Sequence, residues 1–163
     1  QILIRLLPWR DLSAMLSYGI GRALRRDSPS LPLRLADFDQ THTVQASARY
    51  VLWGFGLSVR FRFTTGTPRT EVTGSYFDAS SDVYQPIFGP INAIRLPPFV
   101  QLDAQLDRTF SLGKGVSLSL SVDVQNVTNR KSAEELAYRF DFTQRDYITG
   151  FPTLAVLGAR LSF

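Results

Sequence analysis

Val116-Ser117-Leu118-Ser119-Leu120-Ser121-Val122-Asp123-Val124-Gln125 is the stretch on which the fold turns. Five aliphatic residues alternate without a break with Ser, Ser, Ser, Asp and Gln. Successive side chains of a β-strand point to opposite faces, so one face of this segment is wholly aliphatic and the other wholly polar. A strand of a soluble sandwich shows the same alternation with its polar face in water. A membrane barrel inverts it, turning the apolar face to lipid and the polar face to the lumen.

The pattern recurs on both sides of that stretch. Val100, Leu102, Ala104, Leu106 and Phe110 oppose Gln101, Asp103, Gln105, Asp107 and Thr109. Phe55, Leu57, Val59, Phe61 and Phe63 oppose Ser58, Arg60, Arg62 and Thr64. Val44, Ala46, Ala48, Tyr50 and Leu52 oppose Thr43, Gln45, Ser47 and Arg49, and Leu12, Ala14, Leu16, Tyr18 and Ile20 oppose Ser13, Ser17, Gly19 and Gly21. Residues 2–7 and 153–163 complete a set of about seven strands. The connections alternate in kind. Pro8-Trp9-Arg10, Leu52-Trp53-Gly54 and Leu112-Gly113-Lys114-Gly115 read as tight turns. Residues 26–39, 67–98 and 129–152 are long and rich in Pro, Gly, Asp and aromatics, longer than compact soluble domains usually carry. Short turns at one end and long loops at the other describe an up-and-down transmembrane β-barrel with the short turns periplasmic.

Two further features agree with that geometry. Trp9, Tyr50, Trp53, Phe55, Phe110 and Phe163 gather at the short-turn end, where a barrel carries an interfacial aromatic girdle. The charges of the polar faces read as lumen-facing: Arg60 and Arg62 on one strand, Asp103 and Asp107 on the next, and Asp123 beyond. Antiparallel pairing would set acid against base across the ladder. Arg22 and Arg108 fall on the lipid side by parity, close enough to strand ends to snorkel.

Composition bounds the alternatives. The 163 residues are 44% hydrophobic and 20% charged, ordinary for a globular protein. No run approaches the roughly 18 apolar residues of a transmembrane helix, which excludes helical spanning only. The net charge of +4 is mostly arginine scattered over many segments, without the dense patch a nucleic-acid surface needs, so no nucleic-acid partner is expected. The absence of cysteine excludes disulfides, thiol catalysis and Cys-based metal sites. Residues 1–20 lack a basic segment followed by an unbroken apolar core, so no signal peptide is expected within residues 1–163.

Several phrases resemble the TonB-dependent receptor family. Arg95-Leu96-Pro97-Pro98-Phe99-Val100-Gln101-Leu102-Asp103, followed by Asp107-Arg108-Thr109-Phe110, resembles that family's antepenultimate strand. Asp123-Val124-Gln125-Asn126-Val127-Thr128-Asn129-Arg130 resembles its strand end, and Tyr147-Ile148-Thr149-Gly150-Phe151-Pro152 its last loop. Leu16-Ser17-Tyr18 and Phe38-Asp39-Gln40-Thr41-His42 also look like the family's strand and loop-exit phrases. The closing Gly158-Ala159-Arg160-Leu161-Ser162-Phe163 resembles the terminal signal read by the barrel-assembly machinery, with Gly158, Leu161 and Phe163 as its marks.

The resemblance implies the C-terminal third of a larger, plugged barrel in the bacterial outer membrane, taking up a scarce nutrient such as an iron chelate or cobalamin. It implies outer-membrane lipid, the remaining barrel and the plug as partners, with TonB engaged only through an N-terminal part outside residues 1–163. A barrel of 22 strands cannot fit in 163 residues at about ten per strand. The whole chain is therefore expected to be one partial barrel domain, without a plug or energy-coupling segment. No enzyme activity and no cofactor are expected.

Other readings attach to particular residues. Tyr76, Phe77, Tyr84, Phe88, Tyr138, Phe140, Phe142 and Tyr147 lie on the long loops, where aromatics either grip a ligand or pack the loops together. Asn126-Val127-Thr128 fits a glycosylation acceptor, but bonding the loop backbone at a strand end suits it better. His42, the one histidine, has Ser17 and Ser47 as possible hydrolytic partners, neither in a nucleophile motif. Asp78 and Asp82 lack the spacing of a calcium loop. Two other architectures remain: a small closed outer-membrane barrel of structural or adhesive role, drawing an eighth strand from residues 83–95 or 136–146, and a soluble carbohydrate-binding sandwich whose aliphatic faces meet.

Overall fold

The computed structural model describes residues 1–9 and 11–163. They form an all-β fold without helix. Seven strands build one sheet: β1 (Ile2–Trp9), β2 (Leu12–Ile20), β5 (His42–Leu52), β6 (Phe55–Thr64), β11 (Phe99–Gly113), β12 (Val116–Gln125) and β15 (Leu154–Ser162). Their order in space is their order in the chain, and every neighbouring pair is antiparallel. The meander is open: β1 and β15 are its two rims.

The ladder registers carry the alternation across all seven strands. One row runs Leu6, Ala14, Ala48, Val59, Ala104, Val124 and Ala155; the next runs Leu12, Tyr50, Leu57, Leu106, Val122 and Leu157. Between them lies a polar row of Ser13, Arg49, Ser58, Gln105 and Asp123, which ends on Val156 at the β15 rim. A one-residue slip at any ladder would break this continuity, so the shared period itself fixes the pairing. The short turns follow from local chemistry. Trp53 and Gly54 have φ of 52° and 79°, and Lys114 and Gly115 have 51° and 83°, the twice-positive backbone that matches hairpin twist. Arg10, in the first expected turn, and the side chains of Leu7, Pro8 and Trp9 lie outside the described residues.

The long connections, expected as loops, fold into hairpins and short ladders of their own. β3 (Leu24–Arg25) pairs with β4 (Arg34–Leu35), and β7 (Pro68–Arg69) with β10 (Ile94–Arg95). β8 (Val72–Asp78) pairs with β9 (Val83–Phe88), and β13 (Ala133–Tyr138) with β14 (Arg145–Thr149). Period-two signals in these segments are short and broken by Gly, Pro and Asp, so the alternation that marks the large sheet is absent. None of these strands joins the seven-stranded sheet, β9 and β13 included.

Among the described residues nothing covers the apolar face. The substantial contacts between strands are all between ladder neighbours, and no second sheet lies over the first among the described residues. Among the described residues Leu96, at 5% exposure, and Pro68 are the large apolar side chains that are buried, whereas Leu106 on the sheet is 43% exposed and Leu157 80%. The accessible surface is 11788 Å², roughly 1.4 times what a compact monomer of this mass presents.

Candidate functional site

The polar face holds a hollow of about 620 Å³ lined by Arg5, Ser47, Arg60, Arg62, Asp103 and Asp123, among others. Parity places every expected lumen charge on this face, and one row runs Asp103, Arg60, Ser47, Met15 and Arg5 across five strands. The ion pairs differ from the simple ladder expectation. Arg60 stands opposite Asp103, yet the guanidinium that reaches Asp103 is that of Arg62, at 3.4 Å. Asp103 is drawn toward the strand end instead, where its Oδ1 accepts from the Asn126 N–H at 3.0 Å and from Gln101 Nε2 at 2.7 Å. Asp107 is held by Arg49, through two bonds of 2.6 and 2.8 Å.

Arg49 and Asp107 lie on β5 and β11, with β6 between them. Gly56 makes the bridge possible: a Cβ there would run into the Arg49 guanidinium and stand 2.9 Å from Asp107 Oδ1. An isolated glycine inside a strand is the sequence signal of such a close approach, and it could have found this pair. Arg60, Arg5 and Asp123 have no ion partner among the described residues. The hollow therefore keeps two unpaired arginines and one unpaired aspartate beside the acids that Arg49 and Arg62 hold.

At the long-loop end two polar nodes organise the connections. Asp39, 1% exposed, accepts from the Ala23 N–H at 2.5 Å, from Thr41 Oγ1 at 3.0 Å and from Arg95, joining the 21–41 connection to the 65–98 connection. Arg95 also donates to the carbonyls of Asp39 and Gly66 at 3.1 and 2.9 Å. The Arg95 guanidinium, chiefly, with Ala23 and Thr41 behind it, holds the Asp39 carboxyl below its ordinary value of 3.8 against the opposing effect of burial. A depressed acid stabilises the folded state fully above its unfolded value and loses that contribution as pH falls through the folded one. Protection of the amides in residues 21–41, taken relative to their intrinsic exchange rate at each pH, should accordingly hold from pH 7 to about pH 4 and fall only below it; loss of protection near pH 6 would assign the clamp to another group.

The second node is Asn126. Its Nδ2 donates to the carbonyls of Arg130 and Phe151, both at 3.1 Å, and its Oδ1 accepts from the Arg130 N–H at 3.0 Å. Thr153 Oγ1 donates to the Asn126 carbonyl at 2.7 Å, and its N–H to Asn129 Oδ1 at 3.2 Å. The side chain is 6% exposed and its φ is 51°. These are strand-end bonds to loop backbone, and they leave no free amide for a glycan.

The loop aromatics divide. Phe77, Tyr84 and Phe140 form a chain of edge contacts, with centroids 5.2 and 6.0 Å apart, that joins the β8–β9 hairpin to the 126–153 connection. Tyr138 lies 6.1 Å from Phe142, and its hydroxyl accepts from the Val72 N–H at 3.1 Å. Arg69 to Glu135, at 2.7 and 3.0 Å, ties the same two connections. Tyr76, Phe88 and Tyr147 stand outside both clusters, and all three are exposed.

His42 stacks on Tyr18, whose hydroxyl is 2.8 Å from Nδ1. Parity puts His42 on the apolar face and both Ser17 and Ser47 on the polar one, so the sheet separates the expected hydrolytic partners. Asp78 spends its oxygens on its own turn, accepting from Ser80 N–H, Ser80 Oγ and Ser81 Oγ at 2.9, 2.7 and 2.8 Å. Asp82 follows at φ 56° as a turn residue.

At the opposite end, Tyr50, Trp53, Phe55, Phe110 and Phe163 are exposed at or next to the short turns. Arg108 sits among them on the apolar face, its guanidinium 4.4 Å from the Phe55 ring and 5.0 Å from that of Phe110. Gly158 lies on the polar face against Ser121, and Leu161 lies opposite Leu118 on the apolar face. No family model, curated protein or solved structure matches this chain.

Proposed function

We propose that this sheet is a section of the wall of an outer-membrane β-barrel, the C-terminal strands of a TonB-dependent-receptor-like transporter that takes up a scarce nutrient. The observation that carries the reading is the uncovered apolar face, continuous over seven strands and backed by a charged face with no second layer. In water such a face would associate at once, because exposed apolar area of this extent is an interaction surface. In a bilayer it is the ordinary outer surface of a stave. The hollow of arginines and aspartates then faces the lumen, and the hydrogen-bonded hairpins of the long connections form the outer mouth. The aromatics at the short turns stand where the headgroups begin.

The rims support the same reading. Unpaired backbone groups in hydrocarbon cost several kcal/mol each, so β1 and β15 need further strands beside them. Those strands, with a plug inside, are the partners the family resemblance implies, and the same resemblance links the β15 phrase with Gly158, Leu161 and Phe163 to the assembly machinery. The nutrient class, an iron chelate or cobalamin, follows from the resemblance alone. Fractionation tests the location: the protein should float with lipopolysaccharide-bearing membranes and resist an alkaline carbonate wash. Recovery in the soluble fraction as a monomer would overturn the proposal.

A further inference from the structure

We infer that Arg108 and the groove beside it bind a glycerophospholipid, the guanidinium taking the headgroup phosphate and the groove an acyl chain. The inference rests on the membrane reading above. Arg108 is the one formally charged side chain that the registers place on the apolar face among the described residues. Its ladder partners are Phe55 and Leu120, and no acid shares that face. This sets it apart from Arg49 and Arg62, which reach acids on the polar face.

Rings can orient a guanidinium by attraction to their faces, but they leave its edge N–H donors unmatched. Five donors in one plane suit a phosphate, which accepts two at a time. The level is also right. Phe55 is the first strand residue after the Trp53-Gly54 turn, so the cation stacked on it points to the end where headgroups lie. From the guanidinium a groove of about 450 Å³ runs along the sheet, lined by Leu106, Phe110, Leu120, Val122 and Leu157. Ala159, opposite Leu120, leaves it open toward β15. A polar head beside an aliphatic trough matches one lipid chemistry, a phosphate esterified to a diacylglycerol.

The test uses the intact protein, extracted from membranes in mild detergent and titrated with phosphatidylglycerol in native mass spectrometry. Wild type should retain the lipid, Arg108→Gln should bind it about tenfold more weakly, and Arg108→Lys should fall between, as expected for loss of a charged hydrogen bond. Lys131→Gln, the same charge change in a long connection, should match wild type. Diacylglycerol, which has the chains without the phosphate, should not distinguish wild type from Arg108→Gln. Equal phosphatidylglycerol retention by wild type and Arg108→Gln overturns the lipid site and leaves the membrane reading standing. A protein found outside the membrane fraction overturns both.

Discussion

If the sheet is the barrel wall proposed above, Leu106→Arg is expected to remove the protein from the outer membrane, and Gln105→Arg, one residue away, to leave it there. Leu106 lies at the middle of β11, between Leu57 and Val122 on the uncovered face. An arginine at that depth on the lipid side costs about 2–4 kcal/mol, which is roughly a thirtyfold loss at its smallest. Gln105 points into the hollow between Ser58 and Asp123, so an arginine there gains an acid that has no ion partner among the described residues. The amount of each variant in washed membranes, measured by immunoblot, separates the two. Comparable loss of both, or of neither, would mean that the two faces meet the same solvent.

Asn126→Ala should lower stability by about 3 kcal/mol, an effect well above that of an ordinary surface change. Three bonds to loop backbone vanish, leaving the carbonyls of Arg130 and Phe151 without their donor at the strand end. A left-handed φ of 51° adds its own cost for alanine. Asn126→Gly relieves only the backbone part, so it should recover about 1 kcal/mol of the loss. Asn126→Asp keeps the acceptor but turns a carboxylate toward two carbonyls, close to Asp103, and should resemble the alanine variant. Urea midpoints and proteolysis within residues 126–153 would report all three. Equal stability of the glycine variant and wild type would show that the side-chain bonds contribute nothing.

The strands were legible because a period of two survives any tertiary context that gives the sheet two different faces. Residues 116–125 and 55–64 needed no further information, and the ladders follow from keeping their aliphatic rows aligned. Arg49 to Asp107 was not legible from alternation, since it skips a strand; the clue was Gly56, whose missing side chain leaves the lane. Arg62 rather than Arg60 reaches Asp103 because backbone and side-chain donors at the strand end pull that carboxylate along the ladder. The clamp at Asp39 joins residues 56 positions apart in connections with no periodicity, and only the folded hairpins bring them together. The loop aromatics could be listed from sequence but not sorted, because contact between hairpins decides which of them pack.

The odd strand count has a directional consequence. In an antiparallel meander of seven, β1 and β15 run the same way, so zipping one rim to the other would create a single parallel seam in an otherwise antiparallel wall. Copies inserted the same way up and joined rim to rim would repeat that mismatch at every junction. If the sheet is part of a closed barrel, as proposed, only an odd number of additional staves lets the ring close with an even total and each rim meet a neighbour of opposite sense.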